Sequence, residues 1–311
     1  MFDFEAIYNS IADENSGQKK LDINSVLSVY YGFSPEGYYR LSFLSKTAPP
    51  AMMSTKLLRV VQGREKSEMY WTCFDLINIE IKKVFYTFCT NLIESIDSID
   101  DESIALKQLW KRYAAWRSLF QKELKDTVPL EVVQGLFGEL YFFRKYMAIQ
   151  YGINKAVASW TGPEGKSKDY SVGQTWYEIK TVGAKASEVK ISSIAQLDSD
   201  FDGKLVIIKA ESMSKEFSNG ESSIGELLFE ILKDITDPEV ENSFLTKFST
   251  YGIDLSDECM DRKFDVKSNG MNFYTVNDSF PKITSKTVPY SEVTGVEYTL
   301  SISGIEGFKE K

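Results

Sequence analysis

The sequence contains no histidine among its 311 residues. Serine–histidine–aspartate triads, cysteine–histidine dyads and histidine-ligated zinc sites all need an imidazole, so none of them is available to this chain. Any catalysis must therefore use carboxylates, lysine, tyrosine, serine or a metal ion held by oxygen atoms.

Cysteine is scarce, and its spacing carries no motif. Cys73, Cys89 and Cys259 lie far apart, and no CxxC pair occurs. A disulfide framework or a zinc knuckle is not expected from such spacing, and a reducing compartment suits it best. We predict three small, apolar core residues.

Long apolar runs and nucleotide-binding motifs are also missing. No stretch of about 18 apolar residues is present, which predicts no membrane span. The N-terminal segment MFDFEAIYNS is acidic and lacks the basic-then-apolar order of a secretory signal, so we expect a cytoplasmic protein. Without a glycine-rich GK[ST] motif, hydrolysis of ATP by this chain alone is not expected.

The formal net charge of −9 is unevenly distributed along the chain. Lysine and arginine minus aspartate and glutamate give −3 for residues 1–100, +3 for 101–210 and −9 for 211–311. This pattern argues against a surface that coats DNA without specificity, but it allows a locally basic groove in the middle third.

The order of apolar and turn residues predicts three regions. Residues 1–100 form a β-rich region with a helix, 101–212 form a central helix-and-strand core, and 213–311 form an acidic α/β region. In the last region KFDVKSNGMNFYTV predicts a hairpin around Asn269–Gly270. In the core, KLVIIKA is an uninterrupted apolar run, typical of a strand buried on both faces.

The stretch KDYSVGQTWYEIKT, residues 168–181, places charges where a strand hairpin is predicted. Alternation of side chains puts Glu178 and Lys180 on one face and Ile179 on the other, toward a core. Asp169 precedes Glu178 by nine residues across a turn that contains Gly173. The hairpin therefore predicts Asp169 beside Glu178.

This combination suits metal-dependent hydrolysis of a phosphodiester. Mg²⁺ prefers octahedral oxygen ligands, which Asp169, Glu178 and the backbone carbonyl of Ile179 can supply. A metal ion in such a site activates water and stabilises charge on phosphoryl oxygens. Lys180 can position the water or neutralise the transition state.

A third acid lies on the predicted helix VVQGLFGELYFFRKYM. Its apolar stripe consists of Val132, Leu136, Phe143 and Met147. Glu139 falls within that stripe, where a carboxylate is costly unless it is paired or bound to metal. Gly135 and Gly138 beside it each disfavour a helix, which predicts either a close approach to this surface or a packing notch with Glu139 at its wet edge.

Five segments, in order, resemble the PD-(D/E)xK nuclease superfamily: GLFGELYFF, W-x-GP, KDY, EIKT and VKISSIAQL. They resemble more narrowly a family of nuclease-like proteins encoded in bacterial restriction and phage-defence neighbourhoods. The resemblance is densest over residues 129–210. It implies an α/β (α+β) fold with a restriction-endonuclease-like core, in which helices flank a mixed central sheet, with β-rich N-terminal and mixed C-terminal elaborations.

The resemblance also assigns roles to individual residues. It implies catalytic and metal-binding acids at Glu139, Asp169 and Glu178, a catalytic Lys180, and a polar residue at Gln196 that faces the site or the DNA. Ser193 and Lys185 are further candidates for DNA contact. The residue before Asp169 is Lys168 rather than the proline of the superfamily name, which is a variable position.

The implied function is an endodeoxyribonuclease of restriction or phage-defence type, with Mg²⁺, or alternatively Mn²⁺, as cofactor. DNA is the expected partner, and a homodimer or a subunit of a multi-protein defence complex is expected because double-strand cleavage usually needs two active sites. Two alternatives stay open: a non-catalytic DNA- or protein-binding subunit with a nuclease-like fold, and a structural α/β protein with an accidental motif. Trp110, Trp116 and Trp160 are predicted to pack in cores or between domains rather than to stack on bases.

Overall fold

The computed structural model describes residues 2–14, 17–65, 68–120, 128–213, 222–253, 255, 258–288 and 292–310. The chain divides into two compact units. The N-terminal unit comprises Met1–Lys125, Thr236–Ser249 and Asp254–Ser256, and the C-terminal unit comprises Asp126–Ile235, Thr250–Ile253 and Asp257–Lys311. These limits do not coincide with divisions near residues 100 and 212, and the three-region division stays a prediction.

The N-terminal unit is an antiparallel sheet with helices. Its strands are β1 (Gln18–Lys20), β2 (Ser28–Phe33), β3 (Tyr39–Ser45), β4 (Leu58–Arg64) and β5 (Tyr70–Leu76), in the spatial order β1-β2-β3-β5-β4. Its helices are α1 (Phe4–Glu14), α2 (Lys82–Glu94), α3 (Glu102–Phe120) and, later in the chain, α8 (Pro238–Ser249). Both hairpins, β2–β3 and β4–β5, pair as consecutive antiparallel strands.

The helices of the C-terminal unit begin with one long segment. Helix α4 (Leu130–Phe142) continues through a π-helical turn, Phe143–Met147, into α5 (Ala148–Tyr151). It ends at Gly152, where a φ of +80° suits glycine. The other helices are α6 (Ile153–Ser159) and α7 (Ile224–Asp234), and α7 starts with a capping box of Ser223 and Glu226.

The strands of the C-terminal unit form a mixed sheet and a separate pair. They are β6 (Tyr170–Val172), β7 (Thr175–Val182), β8 (Glu188–Ile191), β9 (Gly203–Met213), β10 (Ser222–Ser223), β11 (Lys263–Val276) and β12 (Tyr298–Ser301). The five-stranded sheet has the order β10-β11-β9-β7-β6, and β12 pairs with β8. Strands β7 and β9 are parallel while their neighbours are antiparallel. The expected α+β fold with a restriction-endonuclease-like mixed sheet is therefore confirmed.

Both faces of this sheet are covered, which explains the apolar run in β9. Leu205, Val206, Ile207 and Ile208 are all buried. On one face Phe142 packs against Tyr170 and Tyr177. On the other, Trp176 and Leu205 join a cluster with residues of β8 and β12.

Three sequence predictions about packing and turns were wrong. Asn269–Gly270 does not form a hairpin turn, because β11 is a single strand whose register against β9 shifts between Val266 and Met271. Trp110 is 42% exposed rather than buried, although Trp116 and Trp160 are fully buried as predicted. Val132 is also exposed, while Leu136, Phe143 and Met147 of the predicted stripe are buried.

No helix of the described residues is long and apolar enough to cross a membrane.

Candidate active site

The hairpin of β6 and β7 brings the first two acids together. Tyr170 pairs with Tyr177, so the next step of the register sets Asp169 opposite Glu178. The turn uses Gly173 at a φ of +60°, a conformation that glycine adopts without steric cost. One carboxylate oxygen of Asp169, Oδ2, accepts the backbone N–H of Ile179 at 2.7 Å. This bond fixes the carboxylate against the strand that carries Glu178.

The backbone of Asp169 is held from the other side by the segment that follows α6. Thr161 and Gly162 both donate their N–H groups to the carbonyl of Asp169, at 2.8 and 3.0 Å. Thr161 also donates its hydroxyl to the carbonyl of Lys168 at 2.8 Å. The W-x-GP segment of the sequence therefore fixes the backbone around the first acid by hydrogen bonds.

Alternation along β7 gives the predicted separation of faces. Ile179 is buried, and Thr181 on the same face lies against Gly138 of α4. Glu178 and Lys180 lie together on the opposite face, with Lys180 Nζ 3.0 Å from Glu178 Oε1. The pairing of acid and lysine predicted from the ExK spacing is present.

Glu139 of α4 points toward Asp169. A Cβ placed on Gly162 would lie 3.0 Å from Asp169 Oδ1 and 3.2 Å from Glu139 Oε2, so both oxygens lie within 3.2 Å of one point. Oε2 of Glu139 accepts the indole N–H of Trp160 and the hydroxyl of Tyr251, each at 2.7 Å. The helix glycine Gly138 is explained by the side chain of Thr181, which occupies the space of a Cβ there.

Burial raises the pKa of all three acids, and repulsion by Asp169 adds to the shift of Glu139 and Glu178. For Glu139, burial and then the charge of Asp169 raise the pKa to about 8, against the hydrogen bonds from Trp160 and Tyr251. Burial raises the pKa of Asp169 to about 6, although the Ile179 N–H opposes the shift. The pKa of Glu178 is raised by burial and by Asp169, against the ammonium of Lys180. A nearby cation would stabilise the ionised form of such acids.

One atom of this group fits a cation directly. Glu178 Oε2 is buried and has no hydrogen-bond partner among the described residues. A buried carboxylate oxygen without a partner is costly, and a metal ion would satisfy it. Within the described part of the chain, however, no three side chains of histidine, cysteine, aspartate or glutamate form a close group around a metal position. Carboxylate oxygens are the ligands that a hard divalent ion prefers, but the acids in this structure do not yet surround a position for such an ion.

Gln196 is the predicted polar residue that reaches the site. It lies at the end of a 3₁₀ turn, Ile194–Gln196, that follows β8. Its Oε1 accepts from Lys180 Nζ at 3.0 Å and from the Ser192 N–H at 2.8 Å. Lys180 is thus held between Glu178 and Gln196.

The other two candidates for DNA contact lie on the surface near this group. Ser193 is half-buried just before the 3₁₀ turn, and Lys185 is exposed in the connection from β7 to β8. Their contact with DNA stays a prediction.

Sequence reasoning missed three residues that contact the acids or support them. Trp160 was predicted as a core residue, and it is one, but its N–H also binds Glu139. Tyr251 lies 112 positions from Glu139, and its ring stacks on Trp160 with centroids 6.0 Å apart. No local pattern could have found Tyr251. Lys168 carried a weak signal, since it stands directly before a site acid, where the superfamily name has a proline.

Lys168 is buried, and burial lowers its pKa to about 8 against the nearby acids Glu178 and Asp198. Its ammonium lies over the ring of Trp176, 4.1 Å from the centroid. The side chain is therefore part of the layer beneath the site rather than a solvated surface group.

No curated protein and no solved structure matches the chain. One family model does match, over residues 3–303: DUF4420, described as "Putative PD-(D/E)XK family member". Proteins of the PD-(D/E)XK type typically use divalent metal ions and act as nucleases. Because the match spans nearly the whole chain, this protein belongs to the DUF4420 family of PD-(D/E)XK-like proteins.

Proposed function

We propose that this protein is a Mg²⁺-dependent endodeoxyribonuclease that hydrolyses DNA phosphodiester bonds. The observation that supports this most is the convergence of Asp169, Glu178 and Lys180, with Glu178 Oε2 buried and unpartnered. A carboxylate oxygen left free in this way is available to a cation, and raised pKa values of neighbouring acids are typical of functional sites.

The oxygens that would hold the cation are those of Asp169, Glu178 and the backbone carbonyl of Ile179. Glu139 would join Asp169 on its side of the site, because their oxygens flank Gly162. Mg²⁺, or Mn²⁺ in its place, would lower the pKa of bound water and neutralise charge on the phosphoryl oxygens.

Lys180 has a defined task in this arrangement. An ammonium has three N–H donors, and the bonds to Glu178 and Gln196 use two of them. The remaining donor can orient the attacking water or hydrogen-bond a phosphate oxygen as negative charge develops on it. A charged donor in a partly dry site stabilises such a transition state more than it would in water.

Trp160 and Tyr251 orient the third acid. Both donate to the same oxygen, Oε2 of Glu139, and so restrain the carboxylate on the side of Asp169. Two such donors also favour the ionised form of Glu139, which opposes the effect of burial. They would keep Glu139 available to a cation despite its raised pKa.

The remaining parts of the proposal concern partners and setting. DNA is the proposed substrate, with Gln196, Ser193 and Lys185 at the surface that would meet it. A homodimer or a subunit of a multi-protein complex would supply the second active site that double-strand cleavage needs. A restriction or phage-defence role in the cytoplasm follows from the resemblance of the sequence alone.

The decisive experiment is cleavage of supercoiled plasmid by purified protein, with Mg²⁺, with Mn²⁺ or with EDTA. We expect metal-dependent nicking that is lost in Glu178→Ala and Lys180→Ala. A matched control is Lys190→Ala, because Lys190 is exposed on β8 and pairs with the exposed Glu297. This control should cleave like the wild type.

The alternative, a DNA- or protein-binding subunit without catalysis, predicts a different result. Wild type and the two site variants would then bind DNA equally and leave it uncut on supercoiled, linear and single-stranded forms. That result would overturn the catalytic proposal.

A further inference from the structure

The ammonium of Lys168 has all of its hydrogen-bonding capacity used by one turn of the chain. Nζ donates to the carbonyls of Ala195, Gln196 and Asp198, at 2.6, 2.7 and 3.1 Å. Lysine is among the residues that proteins bury least, and it is buried only with partners. Three carbonyls within residues 195–198 and one indole face supply those partners here.

The indole ring of Trp176 supports the ammonium of Lys168. The indole N–H of Trp176 donates to the carbonyl of Phe201 at 2.9 Å. Its ring lies in the space that a Cβ at Gly203 would occupy, with the nearest ring atom 2.0 Å from that point. The ring therefore cannot shift toward β9, and it presents a stationary face to the ammonium.

The turn that Lys168 holds is the one that carries Gln196. The backbone carbonyl of Gln196 receives the ammonium of Lys168, and its side-chain Oε1 receives the ammonium of Lys180. Lys168 and Lys180 are thus linked through one residue. No direct contact of Lys168 with substrate is needed for it to influence Lys180.

We propose that Lys168 is a positioning residue that fixes the 194–198 turn, so that Gln196 holds the ammonium of Lys180 beside Glu178. The expected effect of Lys168 on catalysis rests on the proposed nuclease function. The link from Lys168 to Gln196 can be tested without any reaction. It assigns a role to the position that precedes the first site acid, where this chain has a lysine.

The first test compares cleavage rates. Lys168→Met keeps the length of the side chain but removes the three donors, and it should lower kcat roughly 10- to 100-fold, the loss typical of residues that support a site from outside. The KM for DNA should change far less, because Lys168 is buried. Lys166→Met is the matched control, since Lys166 is exposed two positions earlier and pairs with Glu164.

A double-variant cycle asks whether Lys168 acts through Gln196. Gln196→Ala should lower kcat by a similar factor, and Lys168→Met with Gln196→Ala should be little worse than either alone. Groups that act through one contact are non-additive, whereas independent defects multiply. Multiplying losses would overturn the proposed route.

The second test needs no cleavage and uses metal-free protein. The Ser192 N–H is bonded to Gln196 Oε1, so its hydrogen exchange reports whether Gln196 is in place. Exchange at Ser192 should accelerate in Lys168→Met and in Gln196→Ala, and remain at the wild-type rate in Lys166→Met. Unchanged exchange in a folded Lys168→Met would refute the positioning role.

Chemical rescue guards against a variant that merely folds poorly. Lys168→Ala leaves three carbonyls around an empty place for a small ammonium, so ethylammonium chloride should restore slow exchange at Ser192 and part of kcat, while sodium chloride should not. If neither recovers, the ammonium is not what fixes the turn. If the wild type fails to cleave DNA, the proposed function fails, and the exchange data still decide the role of Lys168.

Discussion

Both units of this chain bury acidic side chains, but only one unit gives each of them a guanidinium. In the N-terminal unit Asp75 is completely buried, and Arg40 binds both of its oxygens at 2.6 and 2.9 Å. Arg59 donates twice more to Oδ2, at 2.8 and 3.0 Å. Arginine suits this role because its planar fork matches a carboxylate and keeps its charge when buried.

The second buried acid of the N-terminal unit follows the same rule. Glu241 of α8 pairs with Arg112 of α3, and both side chains are buried. Its other oxygen accepts the indole N–H of Trp116 at 2.9 Å. The opposite charges are thus matched within the packed helices, although Glu241 Oε2 and Arg112 Nη1 form no regular hydrogen bond.

The C-terminal unit treats Glu139, Asp169 and Glu178 differently. Lys180 pairs with Glu178 and lowers the pKa of all three acids, but burial outweighs this effect and the pKa of each acid is raised. A fold can tolerate buried acids that are paired, and it can also hold them under-paired where function needs a cation. The contrast within one chain supports the under-paired group as the proposed site.

The largest expected effect tests the paired side of this contrast. Asp75→Ala leaves Arg40 buried without its partner and should lower the free energy of unfolding by about 3–5 kcal/mol. Urea unfolding followed by circular dichroism measures it. Glu36→Ala is the control, because Glu36 meets the same Arg59 at the exposed surface and should change stability very little. Equal stability of the two variants would contradict a structural role for the buried pair.

The next effect tests the under-paired side. Asp169→Asn keeps the size of the side chain but removes an anionic ligand, and it should reduce DNA cleavage by about 10²–10³-fold. Stability of the metal-free protein should stay the same or rise, because one of three repelling acids is gone. Plasmid cleavage and thermal unfolding in EDTA report the two quantities. A variant that cuts DNA normally would remove Asp169 from the proposed site.

The site was predictable where it depends on local geometry. Alternation along β7 fixes Glu178 and Lys180 on one face whatever surrounds the strand, and Gly173 supplies the turn that returns Asp169. The helical period similarly placed Glu139 inward. These residues needed only the spacing of a strand, a turn and a helix.

The rest depends on contacts between distant segments, which local pattern does not encode. Asn269–Gly270 favours a tight turn, but β11 pairs with β9 on both sides of it, and the register of that pairing shifts between Val266 and Met271 instead. Glycine suits position 270 because a Cβ there would lie 2.7 Å from a methyl of Val266. Tyr251 likewise reaches Glu139 only through the tertiary fold.

A third, smaller effect is the pH dependence of stability, which should differ between the paired and the under-paired acids. The pKa of Glu139 is raised from its ordinary value to about 8, so the native state binds more protons than the unfolded state between these values, and stability falls as pH rises through them. Glu139→Gln removes this loss. In EDTA the variant should gain roughly 1–3 kcal/mol over wild type at about pH 8 and much less at about pH 5.

The control for the pH experiment comes from the paired acids. Glu241→Gln removes the charge that balances buried Arg112, so it should destabilise the protein at both pH values. If Glu139→Gln behaves in the same way, Glu139 belongs with the paired, structural acids.

The smallest expected effect asks whether every unpaired polar atom of the C-terminal unit serves the site. Thr181 Oγ1 is buried without a hydrogen-bond partner, but it lies on the face of β7 that packs on Gly138, away from Lys180. Thr181→Val keeps the shape and removes the unpaired hydroxyl, so it should raise the free energy of unfolding by up to about 1 kcal/mol. Cleavage should be unchanged. A loss of cleavage would show that catalysis also depends on the side of β7 that packs on α4. The difference between the two units would then involve uncharged polar groups as well as acids.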